Sequence, residues 1–152
     1  MAAALRMLSR RGLSEGEIRE RLAKKGIPPT EASAVIRRLQ ELGLVDDPEL
    51  CAQLVRSYRE TRSYGSAKII WVLRARHFPP DLVEKILRES SSGEEELAAA
   101  SAALRKRFRA GLPYGRQGAA KAYRFLAGRG FSPEMCRRAI GGFSFDIQEG
   151  EG

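Results

Sequence analysis

The sequence predicts an all-α fold, an array of three tandem three-helix repeats, on three observations. The first is internal repetition. Ser14 to Ile36 aligns with Gly65 to Leu87 at an offset of 51 residues, and with Gly118 to Ile140 at a further 53. Apolar columns coincide: Ile18, Ile69 and Ala122; Leu22, Leu73 and Leu126; Ile27, Phe78 and Phe131; Val35, Ile86 and Ala139; Ile36, Leu87 and Ile140. A proline column (Pro29, Pro80, Pro133) runs beside a basic one (Lys25, Arg76, Arg129). A period near 50 residues means stacked copies of one supersecondary element. The second observation is spacing, since apolar residues within each copy follow the i, i+3, i+4, i+7 rule of an amphipathic helix. The third is punctuation by caps, first-turn prolines and terminal glycines at matching places.

The elements follow in order. In repeat one (residues 1–45) a first helix spans roughly Ala2 to Ser9 and matches its sisters least well. Ser14-Glu15-Gly16-Glu17 is a capping-box pattern that starts the second helix, with Ile18 and Leu22 on one face and Gly26 at its end. Pro29 suits the first turn of the third helix, which carries Ala32, Val35, Ile36 and Leu39 and stops at Gly43. Repeat two (46–92) opens at Asp47-Pro48, read as a cap and a first-turn proline. Cys51, Leu54, Val55 and Tyr58 form one helix face. Its second helix follows Tyr64-Gly65 and ends near His77, and its third starts at Pro79-Pro80-Asp81. Ser90-Ser91-Ser92-Gly93 is the clearest linker.

Repeat three (93–142) begins with Glu94-Glu95-Glu96, acids that favour a helix N-terminus, followed by Leu97, Leu104 and Phe108. Gly111-Leu112-Pro113-Tyr114-Gly115 breaks the chain before the helix of Ala122 and Leu126. Ser132-Pro133-Glu134 starts the last helix. No pattern survives Gly142, so a mobile tail is expected over 143–152.

Composition narrows the function. With 43% apolar and 30% charged residues in 152, and only short apolar runs, the chain shows no membrane-spanning segment. Its start lacks the long apolar stretch of a secretory signal, so a cytoplasmic protein is expected. Two cysteines make no disulfide framework, and Cys136, in a column with Ala32 and Val83, reads as a buried reduced thiol. No nucleophile with a base, tuned carboxylate pair, phosphate loop or metal-ligand spacing can be assembled, so no enzyme, cofactor or metal is expected. The only histidine, His77, shares its column with Gly26 and Gly130 and reads as a helix-ending loop residue.

The net charge of +8 is unevenly placed. Residues 1–49 hold nine basic and eight acidic side chains and 50–96 hold eight and seven, but 97–142 hold ten basic residues against Glu134 alone. A face kept merely for solubility interleaves both signs; this one draws polyanions or an acidic protein surface. Trp71 shares a column with Glu20 and Arg124, which places it in solvent as a contact residue or, alternatively, in a seam between repeats. Tyr114 and Tyr123 lie among cations, an arrangement suited to phosphate neutralisation with base stacking, although Tyr123 also suits core packing. The candidate binding residues are therefore Arg105, Arg107, Arg109, Arg116, Lys121, Arg124 and Arg129, then Arg74, Arg76 and Trp71 of the middle unit.

Four stretches together resemble one family. They are Ser14-x-x-Glu17-Ile18-x-x-x-Leu22-x-x-Lys25-Gly26-Ile27, Leu42-Gly43-Leu44-Val45-Asp46-Asp47, the helix Ala52 to Arg62 followed by Gly65, and Arg124-Phe125-Leu126-x-x-Arg129-Gly130-Phe131-Ser132. From Ala4 to Gly142 the chain is similar to RecX, the bacterial regulator of the RecA recombinase. The resemblance implies an elongated, curved array whose members lie in the groove of the RecA–DNA filament. They inhibit its ATPase, strand exchange and co-protease activities, and can favour filament disassembly. Implied partners are the RecA filament and single- and double-stranded DNA, with a monomeric protein. His77 departs from the pattern, standing where a glycine often follows the second helix. Two other readings stay open from the residues alone: a nucleic-acid-binding module independent of RecA, and a helical adaptor for an acidic protein.

Overall fold

A short amphipathic helix cannot bury its apolar stripe alone, so each repeat closes three of them around a small core. The computed structural model describes residues 1–90, 92–113 and 115–150, with the side chains of 144–150 excepted. Among the described residues there are nine helices and no strand. α1 (Ala2–Leu8), α2 (Glu15–Lys24) and α3 (Pro29–Glu41) surround Ala4, Leu13, Ile18, Leu22, Ile36 and Leu39. α4 (Asp47–Arg62), α5 (Ser66–Ala75) and α6 (Pro80–Ser90) surround Cys51, Val55, Ile69, Leu73 and Val83. α7 (Gly93–Arg107), α8 (Arg116–Gly128) and α9 (Pro133–Gly150) surround Ala100, Leu104, Ala122, Leu126 and Cys136. The three clusters are separate cores. Leu22, Leu73 and Leu126, one column of the repeat, are each wholly buried, which stabilises each copy by about 1.5–3 kcal/mol.

Local chemistry sets the helix ends. The Ser14 hydroxyl accepts from the Glu17 amide at 3.0 Å while the Glu17 carboxylate accepts from the Ser14 amide at 3.0 Å, completing the capping box. Ser92 caps α7 by accepting from the Glu95 amide, and Ser132 caps α9 by accepting from the Met135 amide. At α4 the cap stands one residue earlier than expected. Asp46 accepts from the Glu49 amide, whereas the Asp47 carboxylate accepts from the Glu15 amide of α2 at 2.9 Å and so links two repeats. His77 occupies the left-handed region at φ 61°, as its column-mates Gly26 and Gly130 do at 81° and 93°. The tail expected over 143–152 is helical as far as Gly150, within α9, and residues 151 and 152 lie outside the described residues. Ser91 of the expected linker lies outside them too.

Both cysteines are buried and free. Burial, with a smaller push from Asp47, raises the Cys51 thiol to about 11. The folded chain therefore holds a proton there that the unfolded chain has begun to lose, so this contribution is complete below about pH 9 and is lost as pH rises to 11. Denaturant unfolding at pH 8 and pH 10.5 should show a fall of about 2 kcal/mol that Cys51→Ala abolishes.

Consecutive repeats join in one recurring way: the N-terminus of a second helix meets the turn after the second helix of the next repeat. At the first joint the Ser14 hydroxyl donates to the Arg76 carbonyl at 2.6 Å. Arg76 reaches back, donating to the Gly12 carbonyl at 2.8 Å and pairing with Glu17 at 3.0 Å, while Arg11 pairs with the same carboxylate at 3.1 Å. His77 pairs with Glu20 at the rim. At the second joint Gly65 replaces the serine, and its amide donates to the Arg129 carbonyl at 2.8 Å while the Ala67 amide donates to the Gly130 carbonyl at 3.1 Å. Arg129 donates to the Arg62 carbonyl at 2.8 Å, as Arg76 does to Gly12. The absence of a Cβ at Gly65 lets two backbones touch where the first joint needs a hydroxyl between them.

Candidate nucleic-acid interface

The excess cations of the third repeat are placed by its helix ends. α7 begins with Glu94, Glu95 and Glu96 and finishes with Arg105, Lys106 and Arg107, so each sign lies at the end of the helix where the macrodipole favours it. This gathers Arg105, Lys106, Arg107 and, in the following turn, Arg109 at one end of the repeat, all exposed. α8 opens with Arg116 and carries Lys121 and Arg124, also exposed, and Arg129 caps its C-terminus half-buried. In the middle unit Trp71 and Arg74 stand on α5 and Arg76 caps it.

Four of the ten candidates come together in one run. The Lys68 ammonium lies 4.8 Å from the centroid of Trp71 and 5.7 Å from that of Tyr64. The Arg129 guanidinium lies 5.9 Å from Tyr64 and 5.3 Å from Phe125. Phe125 meets Phe108 edge-on at 5.7 Å, and Phe108 in turn carries Arg107 at 5.3 Å and Lys121 at 5.8 Å. Aromatic faces and cations thus alternate from Trp71 on α5, across the second joint, to the end of α7 and the start of α8. Each such contact is worth about 0.5–1 kcal/mol at an exposed site. Trp71 is 66% exposed, so it stands on the surface rather than in a seam.

Beside this run lies a cleft of about 390 Å³ lined by Arg62, Tyr64, Lys106, Arg107, Phe125 and Arg129. Among the described residues, none of these four cations has a carboxylate within 4.0 Å. A hydrogen bond from Arg62, aided by the charges of Lys68 and Arg129, draws the Tyr64 phenol below its ordinary value. The cleft is therefore a field of unneutralised positive charge with apolar ring faces in its wall, and such a surface attracts an anion with a flat apolar part.

The other candidates are dispersed. Arg105, Arg109 and Arg116 are exposed around the same end of repeat three without joining the run. Arg124 borders a shallow face with Tyr123 and Arg137. Arg74 faces a groove of mixed charge with Arg88, Glu84 and Glu96. Arg76 is spent on the first joint, its side chain 13% exposed against Glu17. Tyr114 lies outside the described residues. Reasoning along the chain did not single out Arg62, Tyr64 or Lys68, and it counted Lys106 only among the cations around Tyr114 and Tyr123. The signal for Lys68 was present in the repeat alignment, where its column reads Glu17, Lys68, Lys121 opposite the basic column of Lys25, Arg76 and Arg129.

Comparison with known proteins points one way. Sequence models of the first and third three-helix domains of RecX match residues 1–39 and 94–140. The regulatory protein RecX of Halorhodospira halophila is 33% identical over 148 residues, covering 97% of this chain and 90% of the relative. That of Thermus thermophilus is 36% identical over 154 residues, covering 100% and 95%. The crystal structure of RecX from Lactobacillus salivarius superposes with a TM-score of 0.81 at 21% identity, covering 95% of this chain and 94% of that one. At that identity the structural likeness is one of fold.

Proposed function

The chain belongs to the RecX family of regulatory proteins, and from that premise we propose that it is a non-enzymatic regulator that binds RecA–DNA filaments in their groove. On this reading it inhibits RecA ATPase, strand exchange and co-protease activity. The observation that carries the reading is the alternating run of cations and aromatics from Trp71 to Lys121, set on an array whose three cores are joined end to end. A filament offers the same protein and phosphate surfaces at regular intervals. An array touching several of them sums weak contacts through high effective concentration. Inhibition then needs no catalytic group, since bridging neighbouring protomers opposes the subunit motions of ATP turnover, and a ligand that prefers one filament state shifts the population toward it.

RecA ATPase on single-stranded DNA, measured with this protein at substoichiometric amounts, should fall as the ratio rises. A rate unchanged at every ratio defeats the proposal. Competition between RecA-coated and bare DNA should favour the coated form. Equal affinity, with a log–log salt slope of about −0.9 per duplex phosphate neutralised, would instead favour a nucleic-acid-binding module independent of RecA, a reading that the cationic cleft also supports.

A further inference from the structure

The two joints of the array are built alike but charged oppositely. In the first, the facing columns hold Glu17 and Arg76, which pair at 3.0 Å. In the second, the same columns hold Lys68 and Arg129. Both cations stand by one ring, 5.7 and 5.9 Å from the centroid of Tyr64, and neither has a carboxylate within 4.0 Å among the described residues. An attractive pair at the first joint is a repulsive one at the second. Arg62, Lys106 and Arg107 add to that charge from the adjoining cleft. A fold able to neutralise this position from within, as its first joint shows, leaves it positive at the second, so the counter-charge is supplied by a ligand.

The ring faces define the ligand further. Tyr64 and Phe125 line the cleft, and Trp71, the sole tryptophan, stands exposed beyond Lys68. An acidic peptide would need the cations only. Duplex DNA presents its phosphates but keeps its bases stacked inside, and a cleft of about 390 Å³ admits a nucleotide rather than a double helix. Single-stranded nucleic acid offers both phosphate and a free base face, and aromatic stacking with backbone neutralisation is how such strands are held without sequence preference. We infer that the joint between the second and third repeats is a subsite for single-stranded nucleic acid. Backbone phosphates lie between Lys68, Arg129 and the Arg62–Lys106–Arg107 cleft, and bases stack on Tyr64 and Trp71. The inference deepens the nucleic-acid half of the reading above, and its test leaves RecA out so that the two can fail separately.

The full chain is titrated with a short oligothymidylate, the same oligomer carrying abasic sites, and a duplex of equal length, following anisotropy and the emission of Trp71. The oligothymidylate should quench the tryptophan and bind about tenfold more tightly than the abasic strand. Lys68→Glu recreates the charge arrangement of the first joint. It should raise the melting temperature by pairing with Arg129 while weakening oligothymidylate binding about tenfold. Trp71→Ala, at an exposed position, should weaken binding with helicity unchanged and decides the matter should Lys68→Glu fail to fold. Equal affinity for abasic and intact strands, an unquenched tryptophan, or wild-type binding by the folded variants would overturn the inference. RecA inhibition that survives such a result would leave the proposed function standing without this subsite.

Discussion

Gly65→Ala is expected to uncouple the third repeat from the second and to lower stability by about 3 kcal/mol, or about 10 °C in melting temperature. A Cβ at residue 65 would fall 2.5 Å from the Gly130 carbonyl oxygen and 2.5 Å from the Phe131 amide nitrogen, and all three of its nearest neighbours are backbone atoms that no rotamer change can move. Relief requires the two repeats to separate, which breaks the bonds from Gly65 to Arg129 and from Ala67 to Gly130. Stability in an array is a sum of repeat and neighbour terms, so loss of one neighbour term should split thermal unfolding into two transitions followed by circular dichroism. Gly128→Ala is the control, because a Cβ there meets nothing and the φ angle is ordinary. That variant should melt no lower than wild type. A Gly65→Ala protein with a wild-type melting curve would show that the joint does not hold the array together.

Glu17→Ala is expected to cost about 3 kcal/mol, for a different reason. Glu17 is 8% exposed and Arg76 13%, so removing the carboxylate strands a guanidinium with little water around it, its charge met only by neutral acceptors, the Gly12 carbonyl and the Tyr58 side chain. The same change removes half of the capping box of α2, since the Ser14 amide loses its acceptor. Arg11 also loses its partner, at less cost because it is 54% exposed. Adding Arg76→Ala to Glu17→Ala should recover part of the loss, because the stranded charge leaves with it. Chemical denaturation of the two single variants and the double variant measures this directly. Strictly additive losses would mean that the pair does not couple the repeats.

Much of the fold was legible along the chain because each repeat states its helices locally. Leu22, Leu73 and Leu126 fill equivalent cores, the Ser14 capping box forms as its spacing required, and Gly26, His77 and Gly130 all turn left-handed at the same place. The misplaced cap at α4 shows the limit of local reading. Asp46 and Asp47 are equally good N-caps by residue type, and which of them caps was decided by a partner 32 residues away, the Glu15 amide that takes the Asp47 carboxylate. The candidate site was legible in part. The charge excess of the third repeat could be read from counts, but the columns left Trp71 between solvent and a seam, and only its 66% exposure in the structure places it on the surface. Which cations were free could not be read either, because Arg76 and Arg129 share a column and a role at their joints, yet of the two only Arg76 has a carboxylate facing it among the described residues.

The amino-acid sequence by itself determined the helices as far as Gly142, their threefold repetition, the three apolar cores and the drift of positive charge toward the last repeat. Each of these depends on residues within about one repeat length, where periodicity and capping chemistry act. Tertiary structure alone decided how repeats meet: which glycine lets backbones touch, which arginine is neutralised by Glu17, and which cations gather around Tyr64, Phe125 and Phe108. The reason is electrostatic and steric. A charge becomes structural glue or an open binding group only through what stands a few ångströms away, and at the joints those neighbours lie 59 to 67 residues distant along the chain.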